Sequence, residues 1–252
     1  MTLSILHCFA DTGIESDVLT DFGEVTRLGI DPTDSNDSSP IRADAHVADS
    51  DHSVPIKDSV SFDLGLFHPP CAKWSPLTKI RGDPDDHADM IASAREIAVR
   101  TCDNWIIENV PDAPLHQPTL LKGSMFGLPI AYNRAFETSF DVPQPPRQRQ
   151  LLTTDGASHK TETSSFFSSE RSLAWWAAVK GYAPNYTKQH LSKNSIPASF
   201  IRYLLRMWLI AYEDSHGITE TLSDYSDWDN YNSKQRATEN KQLDDFASGV
   251  SP

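Results

Sequence analysis

A short apolar run that ends in two prolines and a cysteine constrains this chain more than any other feature. Residues 62–67 read FDLGLF, with Phe62, Leu64, Leu66 and Phe67 in a bounded stretch, the pattern of a buried strand. Pro69 and Pro70 then fix the backbone ahead of Cys71, so one thiol is presented rigidly at the strand's C-terminal end. In open α/β sheets that edge is where ligands bind. A second apolar run, NWIIENV at 104–110, ends in Glu108, Asn109 and Val110. Between the two, Met90, Ile91, Ala94, Ile97 and Ala98 recur at helical spacing and predict a helix over 85–100. The unit is strand–helix–strand, with a thiol and a carboxyl group at the same sheet edge. A carboxyl group closing an apolar strand is costly without a task or a partner. Cys71 could be a small buried hydrophobe, but its place after Pro-Pro favours a nucleophile. Cys8 and Cys102 read as buried hydrophobes.

The rest of the chain extends the alternation of strands and helices. A first strand is predicted over 3–9, followed by Ala10-Asp11-Thr12-Gly13 and a helix over 14–22. In a doubly wound sheet this first loop holds the cofactor. A second strand over 25–30 ends at Asp31-Pro32, where an acidic residue accepts ribose hydroxyls or simply starts a turn. A third short strand is predicted over 41–45. Residues 46–58 read as surface, 111–118 as a proline-punctuated loop and 119–126 as irregular. Strands over 128–132 and 135–140 form an antiparallel hairpin at the sheet edge, with Arg134 between them. A proline-rich connector over 142–149 leads into a long loop over 151–170. Helices are predicted over 172–180 and 199–212, the second with Phe200, Tyr203, Leu204, Met207 and Trp208 at core spacing. The expected organisation is one catalytic domain over 1–212 and an acidic, partly flexible tail over 213–252.

Composition limits the partners. Against 22 basic residues stand 35 acidic ones, for a net charge of −13, and the mean hydropathy is −0.44. That describes a soluble acidic protein, or one adapted to a salt-loaded (halophilic) cytoplasm; both readings stand. Acidity disfavours nucleic acid, although high salt screens the repulsion. No apolar run is long enough for a membrane span, and no basic region precedes the apolar N-terminal stretch as in a signal peptide. The three cysteines form no CxxC, which argues for a reducing cytoplasm, no disulfide framework and no zinc site.

Pro69-Pro70-Cys71 and Glu108-Asn109-Val110, in that order and each at a strand end, resemble the two signature motifs of the DNA (cytosine-5) methyltransferases. The run NRAFETSF at 133–140 resembles the short virus-type DNA methylase variants. The resemblance implies a Rossmann-like class I methyltransferase fold: a mostly parallel seven-stranded sheet with an antiparallel edge hairpin and helices on both faces. It implies S-adenosyl-L-methionine as cofactor, held by Phe9, Gly13, Asp31, Asp44 and Pro69. It implies DNA as partner, its cytosine flipped out and met by Pro70, Trp74, Ser75, Asn109 and Val110. Cys71, Glu108 and Arg134 carry the reaction in this reading, and no metal is required.

The sequence departs from the family pattern at Asp11, where glycine is common, at Ala72, where glutamine follows the cysteine, and at Tyr132, where a second arginine stands. Lys73, Lys79 and Arg81 form a local basic cluster suited to phosphate. Ile196-Pro197-Ala198 resembles the family's last motif, which opens a helix packed on the first strand. No interval is long enough for a target-recognition domain, so specificity is slight or set by a protein partner. Two other readings remain: a pyrimidine-modifying enzyme acting on nucleotides, and a catalytically inactive methyltransferase-like binding subunit.

Overall fold

The computed structural model describes residues 2–30, 39–42, 61–146, 163–164 and 171–216. The strands are β1 (Ser4–Cys8), β2 (Glu24–Gly29), β3 (Ser39–Arg42), β4 (Phe62–Phe67), β5 (Cys102–Asn109), β6 (Thr119–Lys122), β7 (Ile130–Ala131), β8 (Asn133–Thr138) and β9 (Thr163–Ser164). The helices are α1 (Ser16–Leu19), α2 (Pro76–Arg81), α3 (Ile91–Thr101), α4 (Leu173–Lys180) and α5 (Ala198–His216). Seven strands form one sheet in the order β3-β2-β1-β4-β5-β8-β6. The first five run parallel, and β8 is antiparallel to both β5 and β6. The chain order reverses between β1 and β4, which opens a crevice at their C-terminal ends.

Side-chain alternation explains why both faces are covered. Ile5, Leu64, Leu66, Ile106 and Phe136 point to one side and pack with α1, α4 and α5. Leu6, Cys8, Phe67 and Ile107 point to the other side, onto Ile91, Ala94, Ile97 and Ala98 of α3. In α5, Phe200, Ile201, Leu204, Leu205 and Trp208 repeat with helical period and are all but inaccessible to solvent. Each such side chain contributes roughly 1.5–3 kcal/mol by leaving water, so α5 clamps the sheet as the motif at Ile196-Pro197-Ala198 leads one to expect. Among the described residues, no helix is long and apolar enough to cross a membrane.

Several expectations change in detail. The helix over 14–22 is the single turn α1. Gly23 must come back under Leu3, where a Cβ would lie 2.3 Å from the Leu3 carbonyl oxygen, and Glu24 N–H donates to that oxygen at 2.8 Å. The helix over 85–100 starts only at Ile91. Asp83 accepts from Asp85 N–H to close a 3₁₀ turn at Pro84–Asp86, and Asp89 accepts from Ile91 N–H at 3.1 Å. The edge hairpin is built from β6 and β8 rather than from 128–132 and 135–140. Residues 119–126, read as irregular, hold β6 and a 3₁₀ turn, while β7 pairs with β9 in a separate two-stranded sheet. That pairing puts a short strand inside the interval read as a long loop. The helix α5 runs to His216, into the segment read as tail. Residues 217–252, the third strand beyond Arg42, and most of the 151–170 interval lie outside the described residues.

Candidate active site

One face of the sheet carries a row of polar side chains at its C-terminal edge. Arg27 on β2 has the phase of Val25, His7 on β1 that of Ile5, and Glu108 on β5 that of Ile106; His68 follows β4 in phase with Leu66. Strand register sets them side by side, with His7 opposite both Arg27 and Leu66. Arg134 on β8 completes the row, in phase with Phe136, which pairs with Glu108.

Glu108 is the hub. Its Oε1 lies 2.7 Å from Arg134 Nε in an ion pair whose side chains are only 9% and 14% exposed. Its Oε2 lies 3.4 Å from His68 Nδ1. The partner that a carboxyl group at an apolar strand end requires is therefore present twice. Arg134 does not face water as an ordinary hairpin arginine does. Its Nη1 and Nη2 donate to the carbonyls of Asn133 and Lys193, each at 3.2 Å. Its guanidinium sits 4.3 Å from the ring centre of Tyr132, the residue in place of a second arginine. The buried Lys180 ammonium lies 3.3 Å from the same ring and donates to Ser195 O. Burial, helped by the Arg134 charge, pulls Lys180 well below the usual lysine range, against Glu15 and Glu108.

Cys71 stands at the N-cap of the 3₁₀ turn Ala72–Trp74 and is half-buried, packed against the core on the α3 side. Burial pushes the thiol above its ordinary value, the Arg134 charge pulls it down, and the Glu108 charge pushes it up. Thiol, carboxylate and guanidinium thus share one electrostatic neighbourhood. Cys8 and Cys102 are buried and inert, with Cys102 pushed up to about 12 by desolvation. Asn109 ties the cysteine corner to the end of β5: its Nδ2 donates to Pro69 O at 3.0 Å while its Oδ1 accepts from Val110 N–H at 2.9 Å.

The other residues expected to meet substrate have varied surroundings. Pro69 is buried and Pro70 exposed. Val110 packs with Ala113 and Leu115 in the core on the α3 side. Ser75 caps α2, accepting from Leu77 N–H at 3.3 Å. Trp74 packs against the α3-side core, and its indole N–H is buried without a hydrogen-bond partner among the described residues. The basic cluster is largely neutralised, since Lys79 pairs with Asp112 at 2.8 Å and Lys73 with Asp85 at 3.7 Å.

At the other end of the row, the loop after β1 turns through two left-handed residues, Phe9 (φ 62°) and Gly13 (φ 65°). Arg27 is fully buried beneath it and donates to the carbonyls of Ala10 and Asp11, each at 3.4 Å. A Cβ on Gly13 would fall 2.2 Å from Arg27 Nη1, so glycine is demanded by both backbone and space. Asp11 reaches the end of β2, where a Cβ on Gly29 would meet its Oδ1 at 2.3 Å. Asp31 and Asp44 lie outside the described residues.

Sequence reasoning passed over Arg27, His7, His68 and Glu15. The available signals were a charge inside VTRLGI, a histidine inside LSILHCF, and a histidine directly before Pro-Pro. The rings of His7 and His68 meet edge to face with centres 5.0 Å apart. Burial lowers His7 well below the usual imidazole value, aided by the charges of His68 and Arg27. Burial opposes charge on His68 too, but the bond to Glu108 and the charges of Glu15 and Glu108 outweigh it, so His68 is raised. The two rings are thus shifted in opposite directions.

The fold has solved counterparts. The Entamoeba histolytica methyltransferase EhMeth superposes at a TM-score of 0.50 and 11% identity, over 84% of this chain and 99% of that one. The S. pombe Dnmt2 methyltransferase gives 0.49 and 11% over 83% and 99%. A putative DNA modification methyltransferase encoded within an E. coli prophage gives 0.42 and 16% over 56% and 49%. No family model and no curated protein matches the chain. At these identities the likeness concerns the fold: the sheet is that of a Rossmann-like class I methyltransferase, parallel with an antiparallel edge.

Proposed function

We propose that this chain is an S-adenosylmethionine-dependent methyltransferase of the DNA (cytosine-5) family, with Cys71 as nucleophile. One observation carries the reading: Asn109 Nδ2 donates to Pro69 O at 3.0 Å, which holds the Pro69-Pro70-Cys71 corner against the strand end that carries Glu108, itself paired with Arg134 at 2.7 Å. That arrangement supports a reading in which the two motifs act on one base.

The crevice between the loops after β1 and β4 suits the cofactor. It lies at the switch point, with the half-buried Phe9 and the sharply turned Gly13 in the loop after β1 and the buried Pro69 in the loop after β4. Those residues, with Asp31 and Asp44, would hold the cofactor, which supplies an electrophilic methyl group. Carbon 5 of cytosine is a poor nucleophile until the Cys71 thiolate adds to carbon 6. Glu108 would act in its acid form, donating a proton to ring nitrogen 3 to offset the charge that this addition places there and taking it back when the adduct breaks down. Arg134 holds Glu108 in register and favours the thiolate electrostatically. After methyl transfer the carbon 5 proton leaves and the Cys71–carbon 6 bond breaks, regenerating the thiolate. In a duplex the base must first leave the stack, which costs a few kcal/mol. Asn109 keeps the cysteine corner at a set distance from β5 throughout.

A second reading, a methyltransferase-like subunit without turnover, is favoured by one feature. Asp11 and the buried Arg27 occupy the space around the first loop that glycines leave open in the family pattern. Labelled methyl transfer separates the two. Wild type and Cys71→Ser are incubated with labelled cofactor and duplex DNA, RNA or free deoxycytidine nucleotide, at low and multimolar salt. Label on duplex cytosine from wild type alone supports the leading proposal. Label only on free nucleotide moves the substrate to nucleotides. Cofactor binding without label, or no binding, favours the inactive subunit.

A further inference from the structure

The residues beneath the first loop form a constellation that methyl transfer does not use. His7, Glu15 and His68 each bring one ligand atom within 4.8 Å of the others. We propose that they bind a divalent transition-metal cation of the zinc class, through His7 Nε2, His68 Nε2 and Glu15 Oε2.

Each of the three side chains is held from behind by its other polar atom. His7 Nδ1 lies 2.7 Å from Ser16 Oγ. His68 Nδ1 lies 3.4 Å from Glu108 Oε2. Glu15 Oε1 accepts from Ile196 N–H at 2.9 Å. Partners of this kind are what orient metal-binding imidazoles and carboxylates. The front atoms are left over. His7 is fully buried, and among the described residues neither its Nε2 nor the buried Nε2 of His68 has a hydrogen-bond partner. Glu15 Oε2 lies 4.0 Å from His7 Nε2, beyond hydrogen-bond reach. A buried imidazole nitrogen without a partner is destabilising, and a cation among the three atoms would remove that cost.

Two imidazoles and one carboxylate match zinc and its neighbours in the first transition row, not calcium or magnesium, which prefer oxygen. Bonds of about 2.1 Å in a tetrahedron set ligand atoms roughly 3.4 Å apart. Reaching that spacing from 4.8 Å asks each side chain to move by about 1 Å or less. The cation would tie β1, the turn into α1 and the loop carrying Cys71 into one unit. Because His68 stands three positions before Cys71, occupancy would also hold its Nδ1 as the donor to Glu108. The site stands or falls apart from the methyl-transfer reading, since it needs neither cofactor nor nucleic acid.

The full chain, stripped with a chelator, is titrated with Co²⁺ and then Zn²⁺. The expected result is one Co²⁺ per chain, with visible absorption of a four- or five-coordinate ion that Zn²⁺ bleaches, and a melting temperature that rises with free metal. Affinity falls at least about tenfold in His7→Gln and in Glu15→Gln and is unchanged in Cys71→Ser. X-ray absorption of the zinc-loaded wild type, which depends on no variant folding, shows a nitrogen/oxygen shell with two imidazoles and no sulfur. Absence of saturable one-to-one binding to the folded wild type overturns the proposal. So does a sulfur ligand, or binding that survives His7→Gln and Glu15→Gln together.

Discussion

The two ends of the polar row use buried charge in opposite ways. At the β4–β5–β8 end, Glu108 and Arg134 neutralise each other beside a half-open thiol. At the β1–β2 end, Arg27 is spent on the carbonyls of its own first loop, and Asp11 closes on β2. The same edge of one sheet thus pairs a carboxylate with a guanidinium beside a thiol at one end and ties a guanidinium to backbone carbonyls at the other.

Substitutions can break or sharpen that contrast. The largest expected effect is Cys71→Ser, which should lower methyl transfer by about a thousandfold or more while leaving the melting temperature close to wild type. Glu108→Gln should cost roughly 10²–10⁴ in rate. It should also destabilise, because Arg134 is left buried without its counter-charge, a loss on the order of 3–5 kcal/mol when one partner of a buried pair is removed. Retention of full stability in urea unfolding would mean that the Glu108–Arg134 pair is weaker than its 2.7 Å separation implies.

Arg134→Met tests the electrostatic half of the site. It removes the positive charge that pulls the Cys71 thiol down, so the pH midpoint for alkylation by iodoacetamide should move up and the rate at neutral pH should fall. Arg27→Met should leave that midpoint unchanged. If both variants shift it equally, the two ends are one site and the contrast fails. Gly13→Ala should destabilise by roughly 1–3 kcal/mol, because alanine would have to adopt φ 65° with its Cβ against Arg27. The smallest effect is in the wild type alone. Burial raises the Cys71 thiol above its ordinary value, so turnover that depends on the thiolate should go on rising with pH above neutrality rather than level off there.

The strands that position the candidate site were legible in the chain because local rules governed them. The run before Pro69-Pro70-Cys71 and the run before Glu108 are bounded apolar strands, and parallel neighbours put their C-terminal ends at one edge. Arg134 was legible as a residue but not in its setting. Its burial depends on β8 inserting between β5 and β6, a long-range pairing that the irregular-looking residues 119–126 did not announce. The helix boundaries at Ser16–Leu19 and Ile91 moved because side-chain oxygens and a close backbone contact overrode apolar periodicity. His7, Glu15 and His68 were missed because they are far apart in sequence and carry no metal-ligand spacing. Only the two-residue period of β1 and β4, applied to polar rather than apolar residues, would have placed both histidines on the face of Glu108.

Covalent trapping tests the central claim most directly. Wild-type protein is incubated with cofactor and a duplex carrying 5-fluorocytosine, whose carbon 5 has no proton to lose after methylation. The account predicts a stable adduct, seen in intact-protein mass and mapped by proteolysis to Cys71, and no adduct with Cys71→Ser. Methyl transfer to ordinary cytosine without any trapped protein, or an adduct mapped to Cys8 or Cys102, would contradict it.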